Sequence, residues 1–147
     1  MNKRYFDTED GLTKLLEDCN DVFVVVDDCG QQFMQGIVST VTDYKDILNK
    51  LTGIYMFLEP LHAQAIAYKE IHEDSAYLKI KNETVTTGAK ITDQTLKTEA
   101  HSSVASFIKV RNILEGYVNA CEKGIATCQT QIKRFENDEK YKPLEEK

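Results

Sequence analysis

Apolar residues in the C-terminal third recur at alternating steps of four and three. This stripe consists of Leu114, Val118, Cys121, Ile125, Cys128, Ile132 and Phe135. Such steps keep side chains on one side of an α-helix, like the seam that a helix presents to a partner helix. The pattern predicts a long helix packed against other helices or other copies of the chain. Arg111 precedes the stripe at a position where the repeat calls for an apolar residue. Its side chain either extends to solvent or pairs with a carboxylate of a neighbouring helix and so fixes the register of the two helices.

The same spacing appears earlier, in Tyr44, Leu48, Leu51, Tyr55 and Leu58. It predicts a helix that begins near residue 40. Pro60 has no backbone N–H and clashes with the preceding turn, so we expect a kink or a restart there. An alanine-rich segment then continues the helical pattern to about residue 82.

The segment 84–89 (TVTTGA) contains β-branched residues and glycine, which predict a break. Thr92 is a candidate N-cap, Asp93 suits the positive end of a helix, and Ile91 can pack on Leu96. From there the helical pattern runs unbroken to Phe135. We therefore predict a mainly α fold built on a long antiparallel helical hairpin. Two such helices enclose little core, so we also expect bundling or a homo-oligomer.

The N-terminal region is shorter and partly ambiguous. Thr8 is a candidate N-cap for an amphipathic helix that carries Leu12 and Leu15. Residues 22–26 (VFVVV) favour a strand by composition, and a turn at 27–30 would allow a small β-hairpin over residues 22–38. The helical period also continues through this segment. The composition favours the hairpin slightly, and the helix stays open as the alternative.

Charge divides the chain into three parts. Residues 1–39 belong to an acidic N-terminal region, residues 40–135 form the predicted helical hairpin or bundle domain, and residues 136–147 form a charged tail that we expect to be flexible. Residues 1–59 carry 5 basic and 11 acidic side chains, whereas residues 60–135 carry 10 and 8. The net charge of -6 therefore comes from the two ends, and the middle is mildly basic.

Neither a secretory leader nor a membrane span is expected, because the first residues are charged and no run of 18 apolar residues occurs. We expect a cytoplasmic location, or the host cytoplasm if a phage encodes the chain. The four cysteines form no Cys-x-x-Cys pair, and we expect all of them to be reduced.

Catalytic and metal-binding motifs are lacking. The three histidines have no partners at the spacing of metal ligands, and the adjacent Asp27 and Asp28 are typical of a turn. No phosphate-binding loop, dinucleotide fingerprint or Ser-His-Asp arrangement occurs. We expect no enzyme activity, no metal and no cofactor.

The candidate site is a group of lysines around the predicted break, with one aromatic residue beside them. It consists of Lys79, Lys81, Lys90, Lys97 and Tyr77. Lysine neutralises phosphates, and an aromatic ring provides a surface on which a base stacks. This combination is typical of a surface that binds single-stranded nucleic acid, although lysines also serve solubility on helix surfaces.

The region from about residue 64 to 135 resembles the UvsY-type recombination mediators of large tailed phages. The resemblance rests on the first helix (AQAIAYKEIHEDSAYLKIK), the restart (GAKITDQTLKTEA) and the closing helix (LEGYVNACEKGIATCQTQIKRFE). It implies a helical homo-oligomer that binds single-stranded DNA and helps a RecA-like recombinase displace a single-strand-binding protein. It also implies that Lys79, Lys81 and Lys90 contact DNA.

The acidic first 59 residues depart from that family pattern. They suggest an alternative function, a helical structural or adaptor protein of a phage, such as a virion component, that acts only through protein contacts. In that interpretation the acidic ends are the surface that contacts partner proteins, and the chain has no affinity for DNA.

Overall fold

Four α-helices make up the computed structural model, which describes residues 4–141. They are α1 (Glu9–Met34), α2 (Val41–Thr87), α3 (Asp93–Ser103) and α4 (Ala105–Lys140). No strand occurs among the described residues, and the prediction of a mainly α fold is confirmed. The rings of Tyr44 and Phe135 lie 6.1 Å apart, and the Tyr55 hydroxyl donates to Glu122. The first part of α2 and the last part of α4 therefore run antiparallel, as the hairpin requires.

The chain forms two compact units. Unit 1 comprises residues 1–18 and 60–115, and unit 2 comprises residues 19–59 and 116–147. Segments of α1, α2 and α4 contribute to both units. This division differs from the three sequence segments 1–39, 40–135 and 136–147, whose independence stays a prediction.

Unit 1 is built around aromatic rings. The ring of Phe6 stacks on Tyr68 with 5.2 Å between centroids, and the ring of His72 lies 4.3 Å from that of Phe107. Nε2 of His72 lies 2.8 Å from the backbone oxygen of Phe6, so this histidine is part of the packing. Gly11 lies in the first turn of α1, and a Cβ on Gly11 would lie only 2.5 Å from the Tyr5 carbonyl oxygen.

Unit 2 has an aliphatic and thiol core. Its buried members are Val26, Cys29, Val38, Ile47, Leu51, Cys121 and Cys128. The rings of Phe23 and Tyr117 stack at 4.1 Å, and the Tyr117 hydroxyl donates to Asp27 at 3.0 Å. The three helix segments of this unit therefore contact one another through both apolar and polar groups.

The β-hairpin favoured for residues 22–38 is wrong, because α1 continues to Met34. Cys19, Phe23, Val26 and Cys29 are all buried, at steps of four, three and three. Val24 is 48% exposed, whereas strand alternation would place it on the same face as Val26. Helical packing of one face therefore overrides the strand propensity of the valines.

Two predicted helix boundaries also need correction. Pro60 does not restart the helix, since α2 runs through it. The helix after Thr92 is not unbroken, because α3 ends at Ser103 and α4 begins at Ala105. The Ser103 hydroxyl donates to the Ala100 carbonyl at 2.6 Å, and the Val104 N–H bonds back to His101 and Ser102. These local hydrogen bonds satisfy the last turn of α3 and end it.

The starts of α1 and α3 match the predictions, whereas α2 ends at Thr87, beyond the predicted end near residue 82. Thr8 accepts a hydrogen bond from the Gly11 N–H at 3.1 Å, and Thr92 accepts one from Thr95 at 3.2 Å, so both act as N-caps. The predicted flexible tail begins inside a helix, because residues 136–140 belong to α4, while residues 142–147 lie outside the described residues. Within residues 4–141, no helix is long and apolar enough to cross a membrane.

Candidate nucleic-acid interface

Three of the predicted lysines are exposed where α2 ends. Lys79 and Lys81 lie in its last turns, and Lys90 follows Gly88 in the connection to α3. Gly88 has a φ of 72°, a left-handed conformation that glycine adopts without strain, and it ends the helix. Among the described residues, no ion pair involves any of these three lysines. Their charges are therefore available to a ligand.

Tyr77 and Lys97 are arranged differently, because both bind the carboxylate of Asp93. The Tyr77 hydroxyl donates to Oδ1 at 2.5 Å, and Nζ of Lys97 lies 3.0 Å from Oδ2. The hydrogen bonds from Tyr77 and then Lys97 hold the pKa of Asp93 below its ordinary value. The same carboxylate raises the pKa of Tyr77 and of Lys97. Tyr77 and Lys97 are thus engaged within the chain, and Lys81 lies close enough to Asp93 that its charge also contributes to the lowered pKa of that carboxyl.

A surface groove beside Tyr77 is acidic. Its lining consists of Glu73, Asp74, Tyr77, Asp93, Lys97 and Ala100. Glu73 is held by Lys69, with 2.5 Å between Nζ and Oε2, and by Nδ1 of His101 at 3.3 Å. Its pKa is lowered, first by the hydrogen bond from Lys69. Lys69 and Lys97 offset two of the three carboxylates, and the remaining negative charge disfavours phosphate in this groove.

The predicted packing stripe lies on α4 and faces the interior of the fold. Leu114, Val118, Cys121 and Cys128 are buried, and Ile125, Ile132 and Phe135 are half-buried. Leu114 belongs to unit 1 and the other members to unit 2. The buried members are covered by this chain, and a further role of the stripe in pairing with another copy stays a prediction. Arg111 donates to the Asn112 side chain at 3.1 Å, and the ion pairs within residues 4–141 do not include it.

Sequence reasoning missed an apolar stripe on the solvent face of α2. Ile71, Leu78 and Val85 are 55%, 56% and 74% exposed, at steps of seven residues. Residues on the opposite face of the same helix, such as His72 and Ala76, are half-buried. The seven-residue spacing is readable in the sequence, but the sequence does not show which face of α2 the rest of the chain covers.

The thiols of unit 2 are shielded rather than reactive. Burial raises the pKa of the Cys121 thiol to about 11 and also raises the pKa of Cys29 and Cys128. A thiol with a raised pKa is a poor nucleophile at neutral pH. Across residues 4–141, no group of three histidine, cysteine or acidic side chains is placed to hold a metal ion.

Comparison with protein-family models, with curated proteins and with solved structures finds no match for this chain.

Proposed function

We propose that this chain is a non-enzymatic recombination mediator, which binds single-stranded DNA as a homo-oligomer and assists the loading of a recombinase. The observation that carries the proposal is the set of three exposed lysines, Lys79, Lys81 and Lys90, at one end of α2. Each lysine neutralises a backbone phosphate and releases a condensed counterion. Because these contacts read no base, binding tolerates any sequence.

The surroundings of the lysines limit where the strand lies. The acidic groove next to Tyr77 repels phosphates, so the strand lies outside this groove, across the exposed end of α2 and past Lys90. The Tyr77 ring is half-buried and its hydroxyl is held by Asp93. We therefore assign affinity mainly to the lysines and little of it to stacking. A RecA-like recombinase and a single-strand-binding protein are the partners that the sequence resemblance supports.

The test is a fluorescence-anisotropy titration of a labelled single-stranded oligonucleotide. Replacing all three lysines (Lys79→Glu, Lys81→Glu and Lys90→Glu) is expected to abolish binding. For the unmodified chain, three phosphate contacts predict an affinity loss of roughly 20-fold between about 50 mM and about 200 mM salt. Circular dichroism checks that the variant keeps its helices.

The matched control reverses three exposed lysines elsewhere, namely Lys45→Glu, Lys109→Glu and Lys140→Glu. This control changes the net charge by the same amount, so it measures the effect of overall charge alone. The proposal requires that the control bind more tightly than the first variant. Equal affinities of the two variants, or no binding by the unmodified chain at low salt, would overturn it.

A helical adaptor that acts only through protein contacts is the second candidate. The exposed apolar residues Ile71, Leu78 and Val85 favour it, because exposed apolar stripes mark contact surfaces. In this interpretation the chain is a component of a phage particle. Copurification with assembled particles, together with no affinity for single-stranded DNA, would favour this function over the first.

A further inference from the structure

The solvent face of α2 in unit 1 has the pattern of a helix-pairing surface. Ile71, Leu78 and Val85 lie seven residues apart, and each is more than half exposed. A spacing of seven residues keeps them on one narrow face across the end of the helix. Ser75 lies between the first two, and its small side chain lets a second helix approach closely.

One side of this face carries an acidic and a basic residue. Asp74 and Lys81 lie on the same side of the apolar stripe, also seven residues apart, and both are exposed. In an antiparallel pair, flanking positions of one type face each other across the seam. Asp74 of each copy then lies opposite Lys81 of the other, and the two-fold symmetry forms this ion pair twice. A parallel pair would instead bring Asp74 toward Lys79 of the other copy and would leave Lys81 without an acidic partner, so changes at Lys81 distinguish the two orientations.

We propose that two copies of this chain associate through α2, with their helices antiparallel and centred between Ala76 and Tyr77. In this arrangement Ser75 of one copy packs against Leu78 of the other, and Ile71 packs beside Asn82. The occupant of the face is a second copy because the charge pattern is complementary to itself when reversed. The pairing itself needs no DNA, but Lys81 serves both proposals. Asp74→Lys separates them, because it breaks the ion pair between copies and leaves all three DNA-contacting lysines in place.

This surface differs from the stripe on α4, whose central members are covered by the chain itself. The pairing face also leaves the interior of unit 1 untouched, because His72 and Ala76 point toward it from the other side of α2. Self-association through α2 is therefore compatible with the folded chain, and no refolding is needed.

The first experiment measures self-association by sedimentation equilibrium over a range of protein concentrations. Leu78→Glu places a charge at the centre of the pair and is expected to raise the dissociation constant by about tenfold or more. Met56→Glu is the control, because Met56 is 70% exposed on the same helix but outside the stripe. A chain that stays monomeric at all concentrations, or a Leu78→Glu chain that associates as strongly as the control, would overturn the proposal.

The second experiment tests the orientation by exchanging charges. Asp74→Lys and Lys81→Asp each place like charges opposite each other, and each is expected to weaken association by about threefold to tenfold. The double variant Asp74→Lys with Lys81→Asp restores opposite charges and is expected to recover the original affinity. Because Lys81 is also proposed to contact DNA, sedimentation is measured without DNA. Failure of the double variant to recover association would exclude the antiparallel arrangement.

Discussion

Two glycines of α4 have different surroundings in unit 2. A Cβ on Gly124 would collide with Cδ1 of Leu51, a residue that is only 2% exposed. A Cβ on Gly116 would meet no atom within 4 Å beyond its own helix and neighbours. Glycine lowers helix stability at both positions, but only at Gly124 does its missing side chain make room for a residue of the core.

Alanine substitutions at these two sites are expected to have opposite effects. Gly116→Ala should raise the free energy of unfolding by about 1 kcal/mol through helix propensity. Gly124→Ala gains the same propensity but overpacks the buried Leu51, and we expect a net loss of about 1 kcal/mol. Chemical denaturation of the two variants measures the difference. Equal stabilisation by both would show that Leu51 moves aside freely.

At the scale of the helices, most of the architecture follows from the period of apolar residues. The period predicts the helical segments of α2 and α4, and capping chemistry predicts the starts of α1 and α3 at Thr8 and Thr92. The period does not decide residues 22–34, because valine favours strands locally and only the burial of Phe23 and Val26 against other helices selects α1. The break at Val104 does not follow from the period either, because the Val104 N–H bonds back to His101 and Ser102 and the α-helical ladder stops there.

The N-cap of α3 is expected to contribute measurably to the stability of the fold, because this helix has only 11 residues. Thr92→Ala removes the acceptor for the Thr95 N–H and should lower the free energy of unfolding by about 1 kcal/mol. Thr98→Ala is the control inside the same helix, where alanine is expected to be neutral or slightly stabilising. Denaturation curves compare the two, and equal effects would contradict the capping role.

The start of α2 predicts a dependence of stability on pH. The Asp43 carboxylate accepts the N–H groups of Ser39 and Thr40 at 3.2 and 3.1 Å, and the Thr40 hydroxyl accepts the N–H of Asp43. The bonds from Ser39 and then Thr40 lower the pKa of Asp43 in the folded chain. A lowered folded pKa means that this stabilisation is complete above the unfolded pKa and is lost as pH falls through the folded value.

Asp43→Asn is therefore expected to lower Tm near neutral pH and to reduce the loss of Tm on acidification. Thermal unfolding from neutral to acidic pH measures both effects. Asp46→Asn is the control, because it removes a carboxylate from the same end of α2. Within residues 4–141 the Asp46 side chain makes no hydrogen bond or ion pair. If Tm falls equally with pH in both variants, the hydrogen bonds of Asp43 do not contribute to the acid sensitivity of the fold.

At the scale of the whole chain, the segregation of charge between acidic ends and a mildly basic middle indicates the candidate site. The sequence predicts the lysines near the end of α2, but it groups Tyr77 and Lys97 with them. The structure shows both engaged by Asp93. The pair of Asp93 with Lys97 is an i,i+4 contact that the sequence allows, whereas the contact with Tyr77 requires that the end of α2 lie beside the start of α3. Likewise, the exposed face with Ile71 and Leu78 becomes visible only when the covered face of α2 is known.

The placement of the thiols has a consequence for following the motions of the molecule. All four cysteines of the chain belong to unit 2, and each is at most 3% exposed. A buried thiol with a raised pKa is alkylated only when its surroundings open. The rate of alkylation therefore reports the opening of unit 2 alone, without any introduced probe. Comparing this rate with global unfolding would show whether unit 2 opens before the remainder of the chain or together with it.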